Sequence, residues 1–199
     1  MKRPPPRRFD RAALRLAKVL GPEDCRLAGA LAVAAHGFVR ATKDVDLVTR
    51  LPLPEVKRRL TADGVMARLI HGDALEGDFS TVRGELDRVP FDILPPLVAI
   101  DWDRGVPALQ ERSVRLFVVS LENLLALKLK AQGPKDLLDA AMLVLLHPEV
   151  RPHALELSEA YRVRDRFLRW LEDPRLLPDV RDQKAAAARA RHDPRGRRS

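Results

Sequence analysis

Cysteine, aromatic residues and long apolar runs are scarce in this chain of 199 residues. The single cysteine, Cys25, excludes an internal disulfide and a zinc site built on several thiolates. No run approaches the roughly 18 apolar residues that span a bilayer. The basic start MKRPPPRR continues into a charged segment instead of the apolar stretch of a secretion signal. We therefore expect a protein of the reducing cytoplasm that has no membrane partner.

The formal net charge of +8 is concentrated at the two ends of the chain. Residues 1–8 and 181–199 hold the excess of Lys and Arg, and the segment between them is close to neutral. A neutral body argues against a DNA-binding regulator. We predict basic flexible tails at residues 1–8 and 176–199. Such tails aid solubility, or they contact RNA phosphates in a salt-sensitive way that ignores sequence.

Hydrophobic periodicity predicts an α+β fold. Apolar residues at helical spacing predict helices at residues 9–20, 30–35, 54–62, 121–131, 135–146 and about 152–171. Alternating or β-branched runs predict strands at residues 43–49, 65–70, 79–83, 86–94 and 114–119, and residues 25–28 fit a short strand or a turn. We expect a mixed sheet with flanking helices in residues 9–119, followed by a helical layer in residues 120–175.

Two carboxylates stand close together in the predicted strand at 43–49. Asp44 and Asp46 are two positions apart, so both side chains leave the same face of a strand, about 7 Å apart along it. Their repulsion is relieved by a divalent cation, and Mg²⁺ prefers carboxylate oxygens. Asp92, a lone acid in an apolar strand segment, is a candidate third ligand. The alternative is that Asp44 and Asp46 form the polar face of an edge strand.

The residues upstream of the two acids suit a phosphate. Gly29 and Ala30 open a short helix whose backbone N–H groups can face an anion. Arg40 and Thr42 come just before Asp44. The segment therefore contains a turn, a helix and an acidic strand, which together outline a pocket for phosphate and metal.

These residues resemble the DNA polymerase β-type nucleotidyltransferase superfamily, in which a Gly-Gly or Gly-Ser turn precedes Asp-x-Asp and a later strand supplies a third acid. The nearer likeness is to AbiEii-like toxins and related small bacterial nucleotidyltransferase domains. The likeness runs from about residue 27 to 146 and rests on Gly29-Ala30-Leu-Ala32, His36-Gly37, Arg40-x-Thr42-x-Asp44-x-Asp46, Phe91-Asp92-Ile93-Leu94, Ser120 to Lys128, and Lys135-Asp136-Leu-Leu-Asp139. Ala30 departs from the family pattern because it offers a phosphate only its backbone N–H.

The resemblance implies a minimal nucleotidyltransferase fold and a set of site residues. Asp44, Asp46 and Asp92 would be the catalytic acids that hold Mg²⁺ or Mn²⁺, with Asp92 as third ligand or as base toward the attacking hydroxyl. The nucleotide would be bound by Gly29, Ala30, Arg40, Thr42 and Lys128. His36 and Asp136 would contact these residues and hold them in position without contacting the nucleotide.

The resemblance also implies an activity, which is transfer of a nucleoside monophosphate from a nucleoside triphosphate (NTP) to a hydroxyl. The acceptor is an RNA end such as that of tRNA, a protein side chain or a small molecule. A toxin of this branch would have a cognate antitoxin as partner. The alternative is a non-catalytic, antitoxin-like module that binds nucleotide, RNA or protein through a degraded site.

Several of these residues have ordinary structural interpretations. His36 precedes Gly37 at a helix end and can simply cap carbonyl groups. Lysines on helices such as Lys128 are usually solvated. Asp136 suits the first turn of a helix, where the dipole favours an acid. Asp136 and Asp139 lie on one helical face, where they would orient Lys128 or pair with Arg40.

Overall fold

The computed structural model describes residues 8–72, 79–111 and 113–192. Its helices are α1 Arg8–Leu20, α2 Gly29–Ala35, α3 Leu53–Ala62, α4 Leu121–Ala131, α5 Pro134–Leu146, α6 Arg151–Ala160, α7 Arg164–Leu171 and α8 Leu177–His192. Its strands are β1 Cys25–Leu27, β2 Val45–Thr49, β3 Ala67–Ile70, β4 Thr81–Leu86, β5 Val89–Leu94, β6 Val106–Glu111 and β7 Val114–Val118. The predicted N-terminal tail at residues 1–8 lies outside the described residues except for Arg8, which begins α1.

The strands form one mixed sheet in the order β3-β4-β5-β2-β1-β7-β6. The centre contains two parallel pairs, β5 with β2 and β1 with β7, and the other neighbouring strands are antiparallel. Helices α1 and α3 pack against the sheet and each other, while α4 to α7 pack together as a second layer. The predicted α+β class, a mixed sheet with flanking helices and a C-terminal helical layer, is confirmed.

Alternation along the central strands sorts side chains between the two faces of the sheet. Val45 and Leu47 of β2 and Phe91 and Ile93 of β5 are buried in the core. Because successive side chains point to opposite faces, Asp46 lies on the other face, and it is only partly buried. The same pattern in β5 puts its acid on the face that Asp46 occupies.

Several strand bounds differ from the sequence prediction: β2 and β3 each begin two residues later, and the strands expected at 79–83 and 86–94 are Thr81–Leu86 and Val89–Leu94. Strands β4 and β5 form a hairpin whose two-residue turn, Asp87 and Arg88, has left-handed φ angles of 51° and 62°. Edge strand β6 was not predicted, because Pro107 interrupts its pattern and its register shifts between Pro107 and Leu109.

The C-terminal part differs from the prediction at two places. The helix expected over about 152–171 is two helices, α6 and α7, because the chain turns at Arg162, whose φ is 57°. The flexible tail expected from residue 176 is helix α8 as far as His192. Val180 of α8 is buried in the core, and the alanines that follow favour helix. None of the helices in the described ranges is long and apolar enough to cross a bilayer.

Candidate active site

Gly29 and Asp46 meet where β1 passes into α2. Ala28 N donates to Asp46 O at 2.9 Å, which holds the end of β1 against β2. Gly29 follows with a φ of 56°, and a Cβ at this position would stand 1.7 Å from Asp46 Oδ2. The backbone of residue 29 therefore contacts the Asp46 carboxylate directly, and only glycine leaves that space free.

Asp44 lies just before β2, which begins at Val45, so the expectation that both acids belong to the strand is wrong for Asp44. Thr42 Oγ1 donates to Asp44 Oδ1 at 2.9 Å and is 3.2 Å from Asp44 O. Thr42 thus fixes the turn that brings Asp44 toward the strand.

The charge balance around Asp46 is unfavourable for its ionised form. Burial, and next the repulsion from Asp44, raise the pKa of Asp46 to about 7, while Lys128 acts in the opposite direction. Among the described residues, no group donates a hydrogen bond to the Asp46 carboxylate. A cation in contact with this carboxylate would relieve both the burial and the repulsion.

Asp92 stands directly beside Asp46, since these residues are register partners in parallel strands β2 and β5. Its carboxylate accepts two hydrogen bonds from Arg83, the register partner of Asp92 in β4. Arg83 Nε lies 2.7 Å from Asp92 Oδ1, and Nη2 lies 3.0 Å from Oδ2. The predicted third acid is therefore in place but paired with an arginine.

Lys128 enters the site from α4, and its side chain is only 9% exposed. Its Nζ lies 2.7 Å from Asp136 Oδ1 and 2.9 Å from Asp139 Oδ2, both on α5. Burial lowers the pKa of Lys128, but Asp136 and Asp139 outweigh burial and raise it. Lys128 is therefore a buried lysine held between two carboxylates and not a solvated surface lysine.

Asp139 joins Lys128 to the loop before Asp44. The Asp139 side chain is fully buried and accepts from Arg40 Nε and Nη2, both at 2.7 Å. This hydrogen bonding to Asp139 raises the pKa of Arg40. Both pairings considered for Asp139 from the sequence, with Lys128 and with Arg40, are present together.

A cleft of about 180 Å³ opens between the sheet and α4. Its polar lining is Gly29, Asp46, Lys128 and Asp136, and its apolar lining includes Val48, Leu94, Leu124 and Leu127. Lys128 with its partner Asp136, the Asp46 carboxylate and the apolar side chains together give the cleft polar groups for a phosphate and apolar surface for part of a larger ligand.

Other predicted site residues lie outside this cleft. The Ala30 side chain is buried in α2. The His36 ring makes a hydrogen bond of 2.9 Å to Val119 O, and burial lowers the pKa of His36. His36 also ends α2, with its backbone N–H bonded to Ala32 O. These contacts fit the structural interpretation of His36 and leave its nucleotide role a prediction.

The carboxylates fit a hard divalent cation only in part. Within residues 8–72, 79–111 and 113–192, no three Asp, Glu, His or Cys side chains stand together as a ready cluster of metal ligands. The reason is local, because Asp92 is turned to Arg83 and Asp44 to Thr42. Asp46, whose carboxylate lies against the open backbone of Gly29, retains oxygens of the kind that Mg²⁺ prefers.

Arg83 is the residue at this site that the sequence analysis missed. It has no motif of its own, and its meaning depends on the register of the β4–β5 hairpin. The only signal in the sequence was its distance from Asp92 across the turn at Asp87 and Arg88.

Comparison with known proteins finds likeness in structure alone. No protein-family model matches the chain, and no curated protein matches its sequence. A crystal structure of ANT(2″)-Ia in complex with adenylyl-2″-tobramycin superimposes with a TM-score of 0.52 at 13% identity, over 78% of this chain and 97% of that one. The solution structure of antibiotic-resistance factor ANT(2″)-Ia gives a TM-score of 0.51 at 14% identity, over 80% and 96%.

A tRNA-processing enzyme in its apo form matches 87% of this chain and 61% of its own, at 15% identity. The two superimpose with a TM-score of 0.39. The two ANT(2″)-Ia structures are those of a nucleotidyltransferase. At these identities the likeness concerns the fold, and the chain shares that fold.

Proposed function

We propose that this chain, which has the fold of a nucleotidyltransferase, transfers a nucleoside monophosphate from an NTP to a hydroxyl with the help of Mg²⁺ or Mn²⁺. The observation that carries the proposal is the cleft bounded by Asp46 and Lys128. Asp46 is held against the bare backbone of Gly29, and Lys128 is a buried cation on the facing helix. A cation such as Lys128 can bind the phosphate chain. A carboxylate such as Asp46 can hold a divalent ion beside the reacting phosphorus.

The carboxylates serve the reaction through the cation that they hold. Asp46 and Asp44 would hold a divalent ion, which lowers the charge on the phosphate oxygens and polarises the phosphorus. Asp92 is adjacent to Asp46 in the sheet and would join them once it leaves Arg83. The alternative role of Asp92 is that of the base, which would take the proton of the attacking hydroxyl.

The basic residues orient the nucleotide. Lys128 would bind a phosphate oxygen in the cleft, where low exposure strengthens the interaction. Asp139 holds Lys128 at its Nζ and at the same time anchors Arg40, so the position of Lys128 is fixed before the nucleotide arrives. Gly29, Ala30, Thr42 and the supporting Asp136 complete the predicted set.

The finer parts of the proposal rest on the sequence motifs. We assign the chain to the AbiEii-like branch and to the cytoplasm, where its one thiol stays reduced. In that branch the acceptor would be an RNA end such as that of tRNA, or a protein, and a cognate antitoxin would restrain the enzyme. Induced expression should then arrest growth, and Asp46→Asn should restore it.

The direct test is label transfer from each α-labelled NTP in turn, with Mg²⁺ or Mn²⁺ and a cell extract that supplies RNA and protein. We expect label on a macromolecule with the intact chain and none with Asp46→Asn. Asp63→Asn is the matched control, because Asp63 lies at the exposed end of α3. Equal transfer by Asp46→Asn and the intact chain would refute the proposal.

Two observations favour the alternative of a non-catalytic module. Asp92 is bound by Arg83 at both oxygens, and the Ala30 side chain offers no hydroxyl. If the site binds without turnover, NTP with Mg²⁺ should raise the melting temperature while no label moves to any acceptor.

A further inference from the structure

Four charged side chains form a row across the sheet. Arg68 of β3 is the register partner of Arg83 in β4, Arg83 is the partner of Asp92 in β5, and Asp92 is the partner of Asp46 in β2. Cross-strand partners point to the same face of a sheet. With strands about 4.8 Å apart, the row extends roughly 14 Å from Asp46 to the open edge at β3.

The arginine pair within this row is unfavourable by itself. Like charges directly opposite each other in neighbouring strands destabilise a sheet. Arg83 is compensated by Asp92, but Arg68 is exposed, and among the described residues no acidic side chain pairs with it. An anionic ligand shared by Arg68 and Arg83 would supply the missing charge.

The two arginines open into a cleft of about 670 Å³ at the same edge. Met66 and Ile70, which alternate with Arg68 along the chain, also line it and are 85% and 40% exposed. Glu85 is the acidic residue in the lining, and among the described residues it forms no ion pair with Arg68, the arginine that Asp92 does not compensate. Apolar surface beside paired cations suits a group that carries both a flat base and a phosphate.

The position of this second cleft separates two substrates. Gly29 follows β1, on one side of Asp46 in the sheet, whereas Asp92, Arg83 and Arg68 lie on strands of the other side. If the triphosphate of the donor lies against Gly29, the row of arginines leaves the acceptor a separate approach to Asp92.

We infer that Arg68 and Arg83 form the acceptor site and that the acceptor is a nucleotide or the end of a nucleic acid strand, with its phosphate on these arginines and its base on Met66 and Ile70. This inference rests on the proposed function. It excludes a polycationic acceptor such as an aminoglycoside, which the arginines would repel.

The test is fluorescence anisotropy of a labelled single-stranded oligoribonucleotide with the full chain at several salt concentrations. We expect Arg68→Gln to weaken binding roughly tenfold, as loss of a hydrogen bond to a charged group does. The slope of log affinity against log salt should fall by roughly 0.7 for the lost phosphate contact. Arg164→Gln, which alters an exposed arginine on α7, is the matched control and should change neither quantity.

Competition experiments distinguish the sources of the phosphate. Displacement of the probe by a free nucleoside monophosphate supports a small nucleotide acceptor, and displacement only by unlabelled oligoribonucleotide supports a strand end. Equal binding by Arg68→Gln and the intact chain, or no binding by the intact chain at low salt, would overturn the inference.

The proposed function can fail separately from this inference. NTP binding in the presence of Mg²⁺, measured as the rise in melting temperature, should be the same in Arg68→Gln as in the intact chain. Absence of NTP binding in the intact chain would refute the nucleotidyltransferase proposal, whereas intact NTP binding with an unchanged oligoribonucleotide affinity in Arg68→Gln would refute the acceptor site alone.

Discussion

Gly29 and Asp46 are in such close contact that a Cβ on residue 29 would lie 1.7 Å from the carboxylate oxygen Oδ2 of Asp46. Gly29 also has a left-handed φ of 56°, so backbone conformation and free space both require glycine. The carboxylate thus has an open peptide surface on one side. A side chain at position 29 must displace the acid on which the proposed chemistry depends.

Gly29→Ala should therefore abolish nucleotidyl transfer and NTP binding, because Asp46 would be displaced. Gly64→Ala is the matched control, since Gly64 has a φ of 74° and a Cβ there would meet no atom within 4 Å. Both variants carry backbone strain of about 1 kcal/mol. Activity assays and thermal melts separate strain from contact, and a Gly64→Ala variant as inactive as Gly29→Ala would contradict the steric explanation.

The stability of the metal-free protein should depend on the ionisation of Asp46. Burial and Asp44 raise its pKa from 3.8 to about 7, so the folded chain holds this proton more tightly than the unfolded chain. Below pH 3.8 the ionisation of Asp46 does not reduce the free energy of unfolding. As the pH rises from 3.8 to about 7, the free energy of unfolding falls, because the unfolded chain loses this proton first. At pH 8 we expect Asp46→Asn to be more stable than the intact chain, by at most about 4 kcal/mol.

Denaturant melts in a chelating buffer between pH 5 and pH 8 measure this difference. The gap between Asp46→Asn and the intact chain should widen up to about pH 7 and then stay constant. Added Mg²⁺ should narrow the gap at pH 8, because the cation stabilises the ionised carboxylate. A gap that does not change with pH would show that Asp46 does not titrate in this range.

Removal of Asp139 should be costly. Its fully buried carboxylate pairs with both Arg40 and Lys128, and loss of one member of a buried ion pair typically costs about 3–5 kcal/mol. We expect Asp139→Asn to lower the free energy of unfolding by an amount in this range. Glu159→Gln breaks an exposed pair with Arg164 and should cost less than about 1 kcal/mol. Similar losses in both variants would argue against the buried network.

Cys25 should be unreactive in the native protein. The thiol is fully buried in β1, and burial raises its pKa to about 12, so almost no thiolate forms at pH 8. We expect no reaction with a disulfide reagent at pH 8 until denaturant is added, and then one thiol per chain. Rapid labelling without denaturant would show that β1 opens readily.

Local sequence pattern was enough to predict the fold class and the strands that carry Asp46 and Asp92. Alternation of apolar residues predicted strands around Asp46 and Asp92, and the structure places these two residues side by side. The pattern failed where long-range contacts decide the structure. The Lys and Arg content of residues 176–199 indicated only a basic tail. Helix α8 forms there because Val180 is buried against the core, which is a long-range contact.

The site itself was predictable only as a collection of residues. The motifs identified Asp46, Lys128 and Gly29, which do line one cleft. The pairing of Asp139 with Arg40 or with Lys128 was among the alternatives drawn from the sequence, and both pairs are present. The pairing of Arg83 with Asp92 was not predictable, because it depends on the register of the β4–β5 hairpin, which no local pattern encodes.

The bond from Arg40 to Asp139 also determines when the site can form during protein synthesis. Synthesis must proceed beyond Asp139 before Arg40 and Lys128 can pair with the Asp139 carboxylate. A nascent chain that ends after the sheet would carry Asp46 and Gly29 but lack Lys128. Until α5 has been synthesised, Arg40 also lacks the buried carboxylate that holds it in the folded chain, so the two ends of this network assemble late.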